Sequence, residues 1–269
     1  MQLYDHPLSP YAFKVRAALY EKGLAFEKCE IQRHEQRAKL LELNPRGEVP
    51  VLVDGEVVVA DSKVICSYLE DKFPHPPLVP SDPALRARCR FLELKSDTDI
   101  DACLFVLALL KVTRVDIAAA HPDALDLATK LLESHYALLE RELGGREWFL
   151  GEFSLVDIAL APHLRLAAFL GYRPNAQQPA LGAWLERIRQ RASIRQASKE
   201  LAKGFADSSA RSDGLFDFQR LHWRNDRIEY ALRCGLGPWL LDELQADRAF
   251  FSPLLDESPS RASPSRAPG

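Results

Sequence analysis

The chain has no CxxC pair: its five cysteines, Cys29, Cys66, Cys89, Cys103 and Cys234, are scattered and odd in number. That argues against a disulfide framework or a thiolate zinc site, and a reducing, cytoplasmic setting is expected. The seven histidines are equally dispersed, and HExxH and GxSxG are both missing, so zinc-protease and serine-hydrolase chemistry are set aside and no metal is expected. The longest apolar run, Ala102 to Leu110, is too short to cross a bilayer. The start lacks a basic segment leading into an apolar stretch, so a secretory leader is not expected. Charge of one sign is lacking too. With 35 basic against 38 acidic side chains, nothing global calls for a nucleic-acid or membrane-surface partner. What is present, 47% apolar and 27% charged residues over 269 positions, suffices for a globular chain of two ordinary domains.

Over the first 80 residues strand and helix signals alternate. Gln2-Leu3-Tyr4 reads as a strand, Pro10 to Lys22 as a helix ended by Gly23, and Phe26 to Ile31 as a second strand. Glu35 to Leu43 is a short helix stopped by Asn44-Pro45-Arg46-Gly47. Pro50-Val51-Leu52-Val53 and Val57-Val58-Val59 flank Asp54-Gly55, a strong hairpin signal. Ser62 to Lys72 carries Val64, Ile65, Tyr68 and Leu69 at helical period. The order mixes a crossover unit with an antiparallel edge. Pro74-His75-Pro76-Pro77, with Pro80 and Pro83, then reads as a stiff linker.

From Ala84 to about Lys203 only helical signals remain. Asp123 to Leu143 has apolar residues at three- and four-residue spacing, closed by Gly144-Gly145. In Phe153-Ser154-Leu155-Val156-Asp157-Ile158, Ser154 is placed to cap the amide of Asp157 while Asp157 reaches back, and Phe153 to staple onto Ile158. Residues 205–256 form an appended helical segment: a helix core from Phe218 to Cys234, a break at Gly235-Leu236-Gly237-Pro238, and a short helix around Trp239 to Leu244. Leu221, Ile228 and Leu232 form a stripe there that must be buried, with Trp239, Leu240 and Leu244 also seeking cover; Arg220, Arg224, Arg227 and Arg233 occupy much of the remainder. The segment reads as a stabilising appendage on the helical domain. The alternative is a lid over an acceptor pocket, with Trp223 or an arginine contacting an acidic, apolar substrate. Residues 257–269 cannot bury apolar surface and are expected to be a disordered tail.

Over roughly the first 203 positions the chain resembles the cytosolic glutathione transferases. The resemblance rests on Ser9-Pro10-Tyr11-Ala12-Phe13-Lys14-Val15-Arg16, on Asn44-Pro45-Arg46-Gly47-Glu48-Val49-Pro50, on Asp61-Ser62 and on the Phe153 to Ile158 box, in the right order and on the right elements. The Ser-Pro-aromatic opening looks most like the serine-type classes, including the plant tau class and bacterial relatives. Two positions depart from the pattern: the usual Glu-Ser pair is Asp61-Ser62, and a lysine common in the second helix is Gln36. The resemblance implies an α/β thioredoxin-like, glutathione-binding domain at 1–78 followed by an all-α helical domain at 83–204. It implies glutathione as cosubstrate, a small-molecule electrophile as acceptor, and a homodimer.

The resemblance assigns thiol activation to Ser9, at the head of a helix with Pro10 in its first position. A thiol with a pKa of about 8.5 is only about 3% thiolate at pH 7, and the thiolate is the nucleophile. A hydroxyl donor, exposed amides and the positive end of a helix dipole together stabilise a sulfur anion. Ser9 is equally suited to plain capping, and the two roles are compatible. Tyr4 and Tyr11 are competitors for activation; Tyr4 is expected to pack within the sheet, and Tyr11 to line the acceptor pocket. Val49-Pro50 looks like the family's cis-proline turn, offering the backbone of Val49 to the cysteinyl part of glutathione. Asp61 and Ser62 are expected to hold the γ-glutamyl end, though Ser62 also simply starts a helix. Gln36 and Arg37 are placed for the glycyl end. Asp97, Asp99 and Asp101 read as a solvated face, with a contact from Asp97 or Asp101 to glutathione across a dimer as the alternative, and Phe105, Leu109 and Leu166 as core. The expected activity is nucleophilic attack by the glutathione thiolate on an apolar electrophile; the competing class is a non-catalytic binding protein of the same fold.

Overall fold

The computed structural model describes residues 1–31, 34–113, 115–209 and 221–250. A four-stranded sheet of order β2-β1-β3-β4 organises the first unit: β1 (Gln2–Asp5), β2 (Glu27–Glu30), β3 (Val51–Asp54) and β4 (Val57–Ala60). β1 runs parallel to β2, the geometry a helical crossover produces, and antiparallel to β3. Gly55, at φ 63°, turns the β3–β4 hairpin in a conformation that costs a residue without Cβ nothing. Helix α1 (Pro10–Glu21) makes the crossover, α2 (His34–Leu43) follows β2, and α3 (Ser62–Lys72) follows β4.

The proline-rich linker is held by specific bonds. The buried Lys22 ammonium donates to the carbonyls of Phe73 and Pro76, at 2.7 and 2.9 Å, and pairs with Glu70. Glu70 in turn accepts from the amides of Leu78 and Val79. Leu78 returns a carbonyl to the amide of Leu155, joining the linker to the second unit.

That unit is helical throughout. α4 (Pro83–Lys95), capped by Asp82, continues through a π-helical turn at Ser96–Ile100 into α5 (Asp101–Ala108) and a second such turn at Leu109–Thr113. α6 (Val115–Ala120), α7 (Pro122–Leu143), α8 (Leu155–Phe169), α9 (Pro179–Ile188) and α10 (Ala192–Ser209) complete it. Gly144, left-handed at φ 56°, ends α7. The expected capping box opens α8: the Asp157 carboxylate accepts from the Ser154 amide at 2.9 Å and from Trp184 Nε1 at 2.8 Å. Phe153, expected to staple onto Ile158, packs edge-on against Trp148, with the Arg191 guanidinium 3.8 Å from its ring centre. α1 is enclosed between α3, α8 and α10, so every residue from Ala12 to Leu19 is buried, Lys14 and Arg16 included.

The appended segment departs from its reading. The helix expected from Phe218 begins at Asn225 as α11 (Asn225–Arg233); ahead of it a short strand, β5 (Leu221–His222), pairs in parallel with β6 (Ala249–Phe250). Phe218, Arg220 and the tail at 257–269 lie outside the described residues. Leu232, assigned to the buried stripe, is exposed, whereas Tyr230 and Ala231 are buried. The reason is polar: α11 turns toward buried partners on other helices, with Tyr230 Oη 2.8 Å from His135 Nε2 on α7. α12 (Gly237–Gln245) buries Trp239 and Leu240 as expected. Among the described residues no helix is long and apolar enough to cross a membrane.

Candidate functional site

Strand register alone gathers the expected site residues. Tyr4 at the end of β1 lies opposite Val51 at the start of β3, and Val51 opposite Ala60 at the end of β4. The loop that leaves β1, the turn that enters β3 and the segment that leaves β4 therefore emerge at one end of the sheet. They carry Ser9, Val49-Pro50 and Asp61-Ser62.

Ser9 caps α1, its Oγ accepting from the Ala12 amide at 3.2 Å. Acceptance leaves the hydroxyl proton available for donation, so capping does not consume it. The loop before it is clamped. Arg16 pairs with Asp5 at 2.5 Å, donates to the Pro7 carbonyl at 3.2 Å and reaches Glu200 on α10 at 3.2 Å, all with little exposure. α10 comes so near that a Cβ on Gly204 would sit 2.6 Å from Pro7 Cβ. A larger residue there would push the loop that sets Ser9.

The entry to β3 is shaped by Asn44, which donates from Nδ2 to the Glu48 carbonyl at 2.8 Å and accepts from the Gly47 amide through its carbonyl. The Val49–Pro50 bond is cis. Asp61 has a φ of 75°, in the left-handed half of the map, and its Oδ1 accepts from the amides of Lys63 and Val64 at 2.8 and 3.2 Å. A non-glycine residue held there costs about 1–3 kcal/mol, which accumulates at ligand-binding positions. Ser62, in the first turn of α3, is buried. Gln36 falls on α2, but its side chain, like that of Arg37, lies outside the described residues.

The acid cluster corrects the solvated-face reading. The side chains of Asp97 and Asp101 are only 14% and 6% exposed, set inward by the π-helical turn that separates α4 from α5. Lys14 pairs with Asp97 at 2.5 Å and Glu93 at 3.0 Å. Burial alone would lower the Lys14 pKa, but the Asp97 and Glu93 carboxylates outweigh it and hold the ammonium charged. Asp101 meets Arg227 through Nε and Nη2 at 3.1 and 2.9 Å, with His163 Nε2 at 3.5 Å. Burial raises its pKa, but Arg227, His163 and Arg224 carry it well below the usual carboxylate range.

Tyr11 lies beside this cluster. Its hydroxyl donates to the Asp97 carbonyl at 2.9 Å, and Arg224 Nη2 donates to the same oxygen at 2.8 Å with its guanidinium 4.9 Å from the Tyr11 ring centre. Phe105, read as core, is half-buried and faces the appended segment, with Trp223 edge-on at 5.1 Å and Arg227 at 4.3 Å. Leu109 is buried as expected. Sequence reading missed Arg224 and Arg227 as partners of Asp97 and Asp101. The signal was there as arginines clustered at one short helix, but Asp97 and Asp101 lie more than a hundred residues away.

A sheet unit of this topology followed by a helical unit is the architecture of the thioredoxin-like transferases. Residues 3–77 match the model of the glutathione S-transferase N-terminal domain, and residues 122–187 that of the C-terminal domain. A stringent starvation protein A homolog of Coxiella burnetii is 32% identical over 172 residues, 64% of this chain and 78% of that protein. Glutathione S-transferase 1 of Dianthus caryophyllus is 35% identical over 179 residues, 64% and 79% of the two chains. The crystal structure of a glutathione S-transferase from Rhodospirillum rubrum F11 superposes with a TM-score of 0.62 at 32% identity, covering 73% of this chain and 90% of that one. The chain belongs to the glutathione S-transferase family, which binds glutathione as substrate or ligand.

Proposed function

We propose that the chain binds glutathione where β1, β3 and β4 end together, and uses its thiol as a nucleophile on a small electrophile. The carrying observation is the register Tyr4–Val51–Ala60, which puts Ser9, the cis Val49–Pro50 turn and Asp61-Ser62 on one rim. Asp61 supplies a carboxylate for the γ-glutamyl ammonium, and Ser62 a hydroxyl and a helix-start amide for its carboxylate. The Val49 backbone faces the cysteinyl part, and Gln36 the glycyl end. Ser9, in the manner of the serine-type classes, donates a hydrogen bond from its hydroxyl to the thiolate. Lowering a thiol pKa by about 2 units takes about 2.7 kcal/mol, within reach of one charge-assisted hydrogen bond plus a helix dipole. Tyr11 marks the acceptor side. The same reading places the protein in the cytoplasm as a homodimer, joined through the exposed apolar side chains Val64 on α3 and Phe91 and Leu94 on α4.

A second reading, a glutathione-binding protein without turnover, is favoured by one observation: Arg224 already covers the Tyr11 ring. That one relative is named a starvation protein rather than a transferase points the same way. Calorimetric titration with glutathione, then turnover with a panel of electrophiles running from one- and two-carbon haloalkanes to haloaromatics, decides. Binding with turnover supports the transferase, binding without turnover the carrier, and no binding contradicts both.

A further inference from the structure

We infer that Arg224, held in place by Trp223 and Arg227 of the appended segment, fills the acceptor side of the glutathione site, restricting the chain to acceptors and sulfur substituents of only a few atoms. The inference rests on the glutathione site proposed above and names what limits it.

Three contacts fix the segment in place. Arg227 forks onto Asp101, and both side chains are shielded, at 15% and 6% exposure. Separating a buried pair of this kind leaves an uncompensated charge, so the contact acts as a latch rather than a surface adornment. Trp223, 1% exposed, is wedged between Phe105 and Trp239, whose ring centres lie 5.1 and 6.0 Å away. Arg224 is the part that reaches the site. It lies over the Tyr11 ring, shares the Asp97 carbonyl with the Tyr11 hydroxyl, and is braced by Asp226 at 2.5 Å. Arg224 thus stands over Tyr11 in the first turn of α1, within one turn of chain from Ser9. A substituent leaving a sulfur at Ser9 toward Tyr11 meets a guanidinium that is hydrogen-bonded and ion-paired. Tyr11 has neither a bare ring face on that side nor an unengaged hydroxyl to offer.

The fold supports this placement from both ends. α11 packs on α5 and on the π-helical turn that carries Asp97, so the segment is seated on the wall that the sheet unit faces. On that wall the Asp101 carboxylate and the Asp97 carbonyl accept from the segment's arginines.

Calorimetry on the full-length chain with glutathione, S-methylglutathione and S-hexylglutathione tests it. The methyl compound is expected to bind like glutathione, and the hexyl compound at least about tenfold more weakly, because its chain has no room beyond the sulfur. Arg224→Ala opens the space over Tyr11 and is expected to shift the ratio of hexyl to glutathione affinity upward by about tenfold; Trp223→Ala is a second route to the same shift. Tight binding of S-hexylglutathione by the unaltered chain, or a ratio unmoved in both variants, overturns the inference while leaving the glutathione site standing. Binding of none of the three compounds sinks that site, and the inference with it.

Discussion

Asp61 serves two ends with one carboxylate: Oδ1 caps α3, and the backbone beneath it is held at φ 75°. Alanine at this position loses the cap, at about 1 kcal/mol, and tolerates the left-handed backbone poorly. Asparagine keeps the capping oxygen and is among the few residues that accept positive φ, losing only the charge. Asp61→Asn is therefore expected to melt close to the parent while binding glutathione about 30-fold more weakly, the equivalent of about 2 kcal/mol for a lost charged hydrogen bond. Asp61→Ala is expected to lose both stability and binding. Calorimetry and thermal melts separate the two, and unchanged affinity in a folded Asp61→Asn protein would reassign the γ-glutamyl pocket. Lys14 and Arg16 make a related point. In sequence they are two cations in a helix; in the structure both are buried, each satisfied by carboxylates from other elements.

Elements whose signals are local were legible in advance. The start of α1 at Pro10, the hairpin at Gly55, the end of α7 at Gly144 and the box that opens α8 each follow from residues within one turn. Elements that depend on distant partners were not. The stripe of Leu221, Ile228 and Leu232 predicts a different facing for α11, yet the helix is oriented by Arg227 finding Asp101 and Tyr230 finding His135, which no periodicity encodes. The rim residues were legible only through the resemblance, and what brings them together is strand register, which pairing rather than any single motif determines. The start of α8 offers a test of its own. Burial pushes the Asp157 carboxyl up to about 6, against the bonds from Trp184 and Ser154 that favour its ionised form. A carboxyl whose folded pKa is raised takes up protons on folding between the unfolded value, about 3.9, and 6. Its stabilising contribution is complete below pH 4 and is lost as pH rises through 6. The melting temperature of the parent minus that of Asp157→Asn is thus expected to fall between pH 4 and pH 6.5 and then to level off. A difference that stays constant across that window would show that Asp157 is ionised throughout.

For the molecule as a whole, the two units meet along α1, and the helices that enclose it also fix the site. α8 and α10 bury α1, Gly204 lets α10 approach Pro7, and the appended segment closes over Tyr11. Val64 on α3 and Phe91 and Leu94 on α4 are exposed, and the proposed homodimer is assigned to them. Phe91→Glu, which places a charge at an exposed position outside the buried core, is expected to yield a monomer in sedimentation equilibrium with its helical circular-dichroism signal intact; a parent that is already monomeric removes the dimer from the account. The central claim is that Ser9, held at the head of α1 by the clamped loop, stabilises the glutathione thiolate. It is tested most directly by following thiolate absorbance of glutathione bound to the parent and to Ser9→Ala across a pH titration. The account predicts a bound-thiol pKa about 2 units below the free value of about 8.5 in the parent and a return toward it in Ser9→Ala, with glutathione still bound. The same thiol pKa in both proteins would contradict it.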